Sequence, residues 1–227
     1  MTMKNILNIL SIGLCLMIIA SCGLDNFDPP KSQLTGRIVY NGEALQLRGT
    51  REAVQVQLYQ DGYELNNAIS VYVGQDGTFK ALLFDGQYKL VTRDNNGPWV
   101  NDRDTTIVNV KGNTTVDLNV RPFFTISGSQ ISLSGNTLSA TFTVTQVITT
   151  ATIQRAELLL SDTQFVDDTY NLFRRDFTSG ISPGTVNISA DLTGNANVAS
   201  AKALYGRVAI HTNGASQSLY SPIVRLR

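Results

Sequence analysis

The chain has 227 residues, a length that suits two domains of about 100 residues each. Only 16% of them are charged, below the roughly 25% of an average soluble domain, and Thr, Ser, Asn, Gly and Val take up the difference, a mixture suited to β-structure with polar faces. The formal charges balance at +0, so no global field draws the chain to nucleic acid or to an acidic surface.

The first residues read as a targeting segment. Lys4 supplies a short positive region, and residues 6–20 are mostly apolar. That run is shorter than the roughly 20 residues a membrane span needs, and has the length of a signal-peptide core. It ends in Ile19-Ala20-Ser21-Cys22, which resembles a bacterial lipobox. The resemblance implies cleavage before Cys22, a diacylglycerol on its thiol and an acyl group on its new amine. The alternative is an ordinary signal peptide with an incidental cysteine. In the lipobox reading residues 1–21 are removed, Cys15 leaves with them and Cys22 carries lipid, so no disulfide is expected. Residues 22–31 then form a tether, because Gly, Asp, Asn and two prolines resist helix and central strand alike. Nine such residues reach about 30 Å at most. Asp25 and Asp28 loosely resemble the acidic surface-export signal of Bacteroidetes lipoproteins; a plain solvated linker is the alternative.

Residues 32–122 alternate in short runs between turn dipeptides. "AVQVQLYQ" places Val54, Val56 and Leu58 on one face, and "TFKALLF" does the same with Phe79, Ala81 and Leu83. Asn41-Gly42, Asp61-Gly62, Asp76-Gly77 and Asp85-Gly86 supply the positive φ of tight hairpins. The pattern predicts about seven strands, which can bury a core only as a sandwich or barrel. Gly36-Arg37-Ile38, Asp76-Gly77-Thr78-Phe79 and Gly86-Gln87-Tyr88 follow the motif order of the transthyretin-like, or carboxypeptidase-regulatory-like, domain. That resemblance implies a β-sandwich used as a rigid module.

Residues 123–227 start a second set after Pro122. "TLSATFTVTQV" alternates with Leu138, Ala140, Phe142 and Val144 inward, the mark of a half-buried strand. The count again reaches about seven. Tyr205-Gly206-Arg207-Val208-Ala209, the Asn213-Gly214 turn and Tyr220-Ser221-Pro222 resemble the end of a fibronectin type III or immunoglobulin-like domain. The core tryptophan of that family is absent from this half. The fold class predicted is therefore all-β, two consecutive seven-stranded β-sandwiches with separate cores. "LDNFDPP", "LTGRIVYNGEALQLRG" and "GPWVNDRDTTIVNVKGNTTVDLNVRPFF", with the lipobox, are similar to a family of two-domain Bacteroidetes lipoproteins. These accompany starch-utilisation-type outer-membrane glycan uptake systems, and the resemblance carries over no catalytic residue.

Chemistry is sparse. The single histidine, His211, is read as a solvated strand residue, and no G-x-S-x-G, G-x-G-x-x-G or P-loop motif is present. Asp102 with Asp104, and Asp167 with Asp168, lack the regular spacing of a calcium loop, so no metal, cofactor or catalytic residue is expected. One loop stands out. Residues 93–104, "RDNNGPWVNDRD", are longer than the other turns of their half and hold the only tryptophan. Trp99 with Asn95, Asn96, Asn101, Asp102 and Arg103 is an inventory for stacking and hydrogen-bonding a sugar. The structural alternative is that Trp99 caps the sandwich or packs against the second half. The expected protein is a non-enzymatic lipoprotein at the outer-membrane surface. Its expected partners are the membrane through its lipid, a glycan and an outer-membrane uptake complex, but not nucleic acid. The rival reading is a structural or adhesive spacer.

Overall fold

The computed structural model describes residues 28–62, 65 and 67–227. The expected signal peptide, Cys22 and most of the tether lie outside the described residues.

The first half is a sandwich of two four-stranded sheets. Its strands in chain order are β1 (Ser32–Tyr40), β2 (Glu43–Ala44), β3 (Gln55–Tyr59), β4 (Ile69–Tyr72), β5 (Thr78–Leu83), β6 (Gly86–Thr92), β7 (Thr106–Val110) and β8 (Asn113–Asn119). One sheet runs β2-β1-β5 with β8 parallel to β1; the other is β4-β3-β6-β7 and antiparallel. The predicted strands are present, joined by the short β2. That extra strand exists because Asn41 and Gly42, both at positive φ, fold the chain back on β1. Leu34, Ile38, Val56, Leu58, Tyr88 and Leu90 fill the core. Gly36 is required there: a Cβ would lie 2.2 Å from Cζ of Phe79, whose ring covers it.

The two ends of this sandwich differ. At one end the chain enters β1 at Ser32, beside the β5–β6 turn and the β7–β8 turn. The loops of the other end face the second half.

The second half holds β9 (Phe124–Ser134), β10 (Thr137–Gln146), β11 (Ile153–Ser161), β12 (Phe173–Phe177), β13 (Gly184–Asp191), a short helix α1 (Ala196–Ser200), β14 (Tyr205–Thr212), β15 (Leu219–Tyr220) and β16 (Val224–Arg225). A three-stranded sheet, β13-β10-β9, packs on a five-stranded one, β12-β11-β14-β15 with β16 also on β14. β10 alternates as predicted, with Leu138, Ala140, Phe142 and Val144 buried. The predicted final strand is broken in two around Pro222, which has no N–H to give a ladder. Asn195 caps α1 through a bond from Val198 N to its side chain.

Lys31–Arg227 form one compact unit. Each half has its own main core, but Leu219 of the second half sits in the core of the first, and Ile126 packs against both. The outer face of β11 and β14 meets the first half. There Arg207 is fully buried: Nε donates to Ser221 O at 2.8 Å, Nη1 to Val166 O at 3.4 Å and Nη2 to Gln75 O at 3.2 Å. Its guanidinium lies 4.5 Å from the ring centre of Tyr220. Tyr220 N in turn donates to Gln46 O, and Thr50 Oγ1 to Asp167 Oδ2.

Candidate functional site

The loop of residues 93–104 is built by its own polar groups. Asn96 accepts from Gln55 N at 2.7 Å and donates to Ala53 O at 2.8 Å, so it clamps the loop to the start of β3. Asn101 accepts from Asn95 N and donates to Asp94, closing a small ring within the loop. Asp102 forms a bidentate pair with Arg121, at 2.8 and 3.0 Å. Arg103 donates to Thr92 O and Gln57 Oε1. Side chains chosen for sugar chemistry are thus engaged with their own fold.

The expectation of an exposed stacking platform at Trp99 is corrected. Trp99 is 4% exposed and belongs to the core of the first half. Its backbone bridges to Pro122, and Phe123 N donates to Pro98 O, so the loop is laced to the chain that leads into β9. A Cβ on Gly97 would lie 2.2 Å from the indole, so the Gly-Pro turn before the tryptophan makes room for the ring. Trp99 is the packing residue of the structural alternative. Two small clefts flank it. One of about 140 Å³ lies against Asp102, Arg103 and Arg121, the other of about 190 Å³ against Asn95, Asn101, Phe123 and Ser216. Both are below the roughly 300 Å³ at which ordinary ligand pockets begin.

A larger concavity lies elsewhere. The outer face of β5-β1-β8 carries an open trough of about 520 Å³. Thr35 and Thr115 line it as a hydroxyl pair 3.2 Å apart, beside Arg37 and Lys80. Arg37 is held by Asp117 through a bidentate pair, at 2.9 and 2.5 Å. Tyr72, at the end of the edge strand β4, forms the lip and is 46% exposed. The neighbouring Glu52 carboxylate raises its phenol above the usual range. An exposed aromatic, two hydroxyls and two cations, of which Arg37 is held in place by Asp117, can stack a sugar face and bond its hydroxyls. The sequence reading passed over Tyr72. Its signal was the outward position of a tyrosine between the inward Val71 and Val73.

The second half hides a charged cluster on the outer face of its larger sheet. Glu157 is 0% exposed. Arg155 Nε bonds it at 2.8 Å, Ser218 Oγ at 3.3 Å, and Arg174 lies 3.5 Å away. Burial still raises its carboxyl above the usual range, against the pull of Arg174 and Arg155. Asp176 is held low by its bonds from Arg174. His211, expected to be solvated, is half-buried with Nδ1 2.9 Å from Ser218 Oγ, and burial lowers it. Asp167 caps its own loop by accepting from Thr169 N and Tyr170 N. Among the described residues no group of three or more His, Cys, Asp or Glu is placed to hold a metal ion.

A model described as "Protein of unknown function (DUF3823) N-terminal domain" matches residues 32–121, and one described as "Domain of unknown function (DUF3823_C)" matches residues 124–225. The crystal structure of a DUF3823 family protein from Parabacteroides merdae is 57% identical with a TM-score of 0.86, and the match covers 88% of this chain and 100% of that one. A DUF3823 family protein from Bacteroides ovatus is 29% identical with a TM-score of 0.78, covering 86% and 98%. A structure from Bacteroides uniformis described as a "putative carbohydrate binding protein" is 19% identical with a TM-score of 0.73, covering 87% and 99%, and shares the fold. The search of curated proteins finds no match.

Proposed function

The chain belongs to the DUF3823 family, and on that premise we propose that it is a non-enzymatic, lipid-anchored outer-membrane lipoprotein that holds a glycan for an uptake system. The anchor is Cys22 of the lipobox-like segment. The observation that carries the glycan part is the trough on β5-β1-β8, with Tyr72 exposed at its lip and hydroxyls and cations on its floor. A sugar ring stacks on the tyrosine, and its hydroxyls bond Thr35, Thr115 and Lys80. The Bacteroides uniformis structure that shares this fold is itself described as a "putative carbohydrate binding protein", which supports the binding reading.

One aromatic and an open trough make few contacts. Affinity is expected between about 1 mM and tens of µM, or about −4 to −6 kcal/mol. The test is a glycan array with the full chain in detergent, followed by calorimetry on any ligand found. Tyr72→Ala should abolish binding with no change in Tm, because the side chain is at the surface. Wild type that binds no glycan overturns the reading.

A second reading has its own observation. The loop of residues 93–104 is stitched to itself and to the chain entering β9, and Arg207 locks the halves together. Such a stiff joint is what a spacer module needs. A null glycan array with an unchanged, single cooperative melt would support it.

A further inference from the structure

We propose that the end of the first sandwich where the chain enters β1 lies on the bilayer and inserts Leu82 and Phe84 into its surface, with Ile69 beside them. The inference rests on lipidation at Cys22 and adds a second membrane contact to it.

Ile69, Leu82 and Phe84 are three of the large apolar side chains that the described residues leave exposed, Leu82 at 60% and Phe84 at 50%. The topology gathers them. β1 and β5 are antiparallel with Ser32 opposite Leu83, so the last residues of β5 lie beside the entry of the chain. β4 starts at Ile69 at that same end, because Leu58 near the close of β3 pairs with it. Leu82 points outward, with its neighbours Ala81 and Leu83 inward, and Phe84 follows in the β5–β6 turn, where Tyr88 Oη bonds its carbonyl at 3.0 Å. The loops at the opposite end are covered by the second half, through Gln46, Gln75 and Trp99. Among the described residues, this apolar end is therefore left exposed.

The length of chain outside the described residues says what covers it. Nine residues separate Cys22 from Ser32. Fully extended they reach about 30 Å, so an acylated Cys22 holds this end within about the thickness of a bilayer's hydrocarbon core of the lipid surface. Two of the carboxylates described at this end are already engaged. Asp85 accepts from Ser32 Oγ, and Asp61 pairs with Lys89 at 2.7 Å. Lys111 in the β7–β8 turn is placed for anionic headgroups. A tether alone would leave the module free to tumble; a second apolar contact fixes its tilt and presents the trough sideways.

The mature chain offers a direct test, because Cys22 is its one cysteine once residues 1–21 are removed, and acylation blocks that thiol. The acylated full chain is reconstituted in vesicles of phosphatidylethanolamine and phosphatidylglycerol. Leu82→Cys, and Asn41→Cys at the opposite end, are each labelled with a polarity-sensitive dye. The dye at position 82 should shift to the blue and be quenched several-fold by spin-labelled lipid, while the dye at 41 is not. Leu82→Glu with Phe84→Glu, read by a dye at Ile69→Cys, should lose the quenching and stay with the vesicles. Equal, weak quenching at 82 and 41 in a vesicle-bound chain overturns the docking and leaves the anchor intact. A blue shift without vesicles overturns it in favour of contact between two copies. A wild-type chain that itself takes the dye at Cys22 is not acylated, which overturns the anchor and the docking with it.

Discussion

At the scale of single residues, burial decides what the chemistry of a side chain is for. Trp99 was legible as the one large aromatic in a long polar loop, but its direction was not, because a loop has no period to assign faces. The Gly-Pro turn folds the ring inward, and the surrounding amides bond the backbone that holds it. Trp99→Ala is expected to cost about 3–5 kcal/mol, the range for removing a buried large aromatic, read by denaturant melts. A change below about 1 kcal/mol would mean the loop collapses at no cost and the ring is not a core residue. Glu157 is the second case. Its carboxyl is raised by burial, so folding favours the protonated form. The stability it contributes is fully present below the ordinary carboxylate range and is lost as pH rises through the raised value. Glu157→Gln is neutral at every pH and keeps an acceptor for Ser218. It should raise Tm most at about pH 8 and least at about pH 4, where wild type is itself protonated. Lower Tm at every pH by one constant margin would show instead that the bonds from Arg155 outweigh the burial.

At the scale of elements, the turn dipeptides and the period of two were enough to place the strands, since each Asn-Gly or Asp-Gly marks a point where only a short reversal satisfies the chain. Gly36 shows what the Gly36-Arg37-Ile38 motif is for: the glycine faces inward within β1 and is roofed by Phe79 of the next motif. β11 shows the limit. "RAELLLS" does not alternate, because both of its faces are covered, one by the core of its own half and the other by the chain around Val166 and Tyr220. A strand buried on both faces gives a continuous run, and nothing in the run says what the second cover is. The same ambiguity hid Glu157 and Arg207, each of which reads in sequence as an ordinary outward charge. The trough was hidden for a different reason. Its lining comes from β1, β4, β5 and β8, and the parallel pairing of β1 with β8 that brings Thr35 to Thr115 has no local signal in either strand.

At the scale of the molecule, the question is whether two sandwiches with separate main cores unfold as two bodies or one. Arg207 is where the answer is concentrated. A guanidinium with no exposure loses its hydration, and burial lowers its pKa to about 10, so it remains charged at neutral pH. What offsets that loss is three carbonyls and the face of Tyr220, and one of the carbonyls, Gln75 O, belongs to the other half. Leu219 adds an apolar contact in the same place by entering the first core. The two halves therefore share one free energy of unfolding, and wild type is expected to give a single calorimetric peak. Arg207→Met keeps the length of the side chain and removes its donors. Ser221 O and Val166 O are then buried without a partner, at a cost of about 1–3 kcal/mol each. Both carbonyls belong to the second half, and the bond to Gln75 O that crosses the joint is lost with them, so the variant should melt in two steps, the second half at the lower temperature. A variant that still melts in one peak, lowered in Tm alone, would place the coupling in the Trp99–Pro122 strap instead, and Trp99→Ala would then be the substitution that splits the transition.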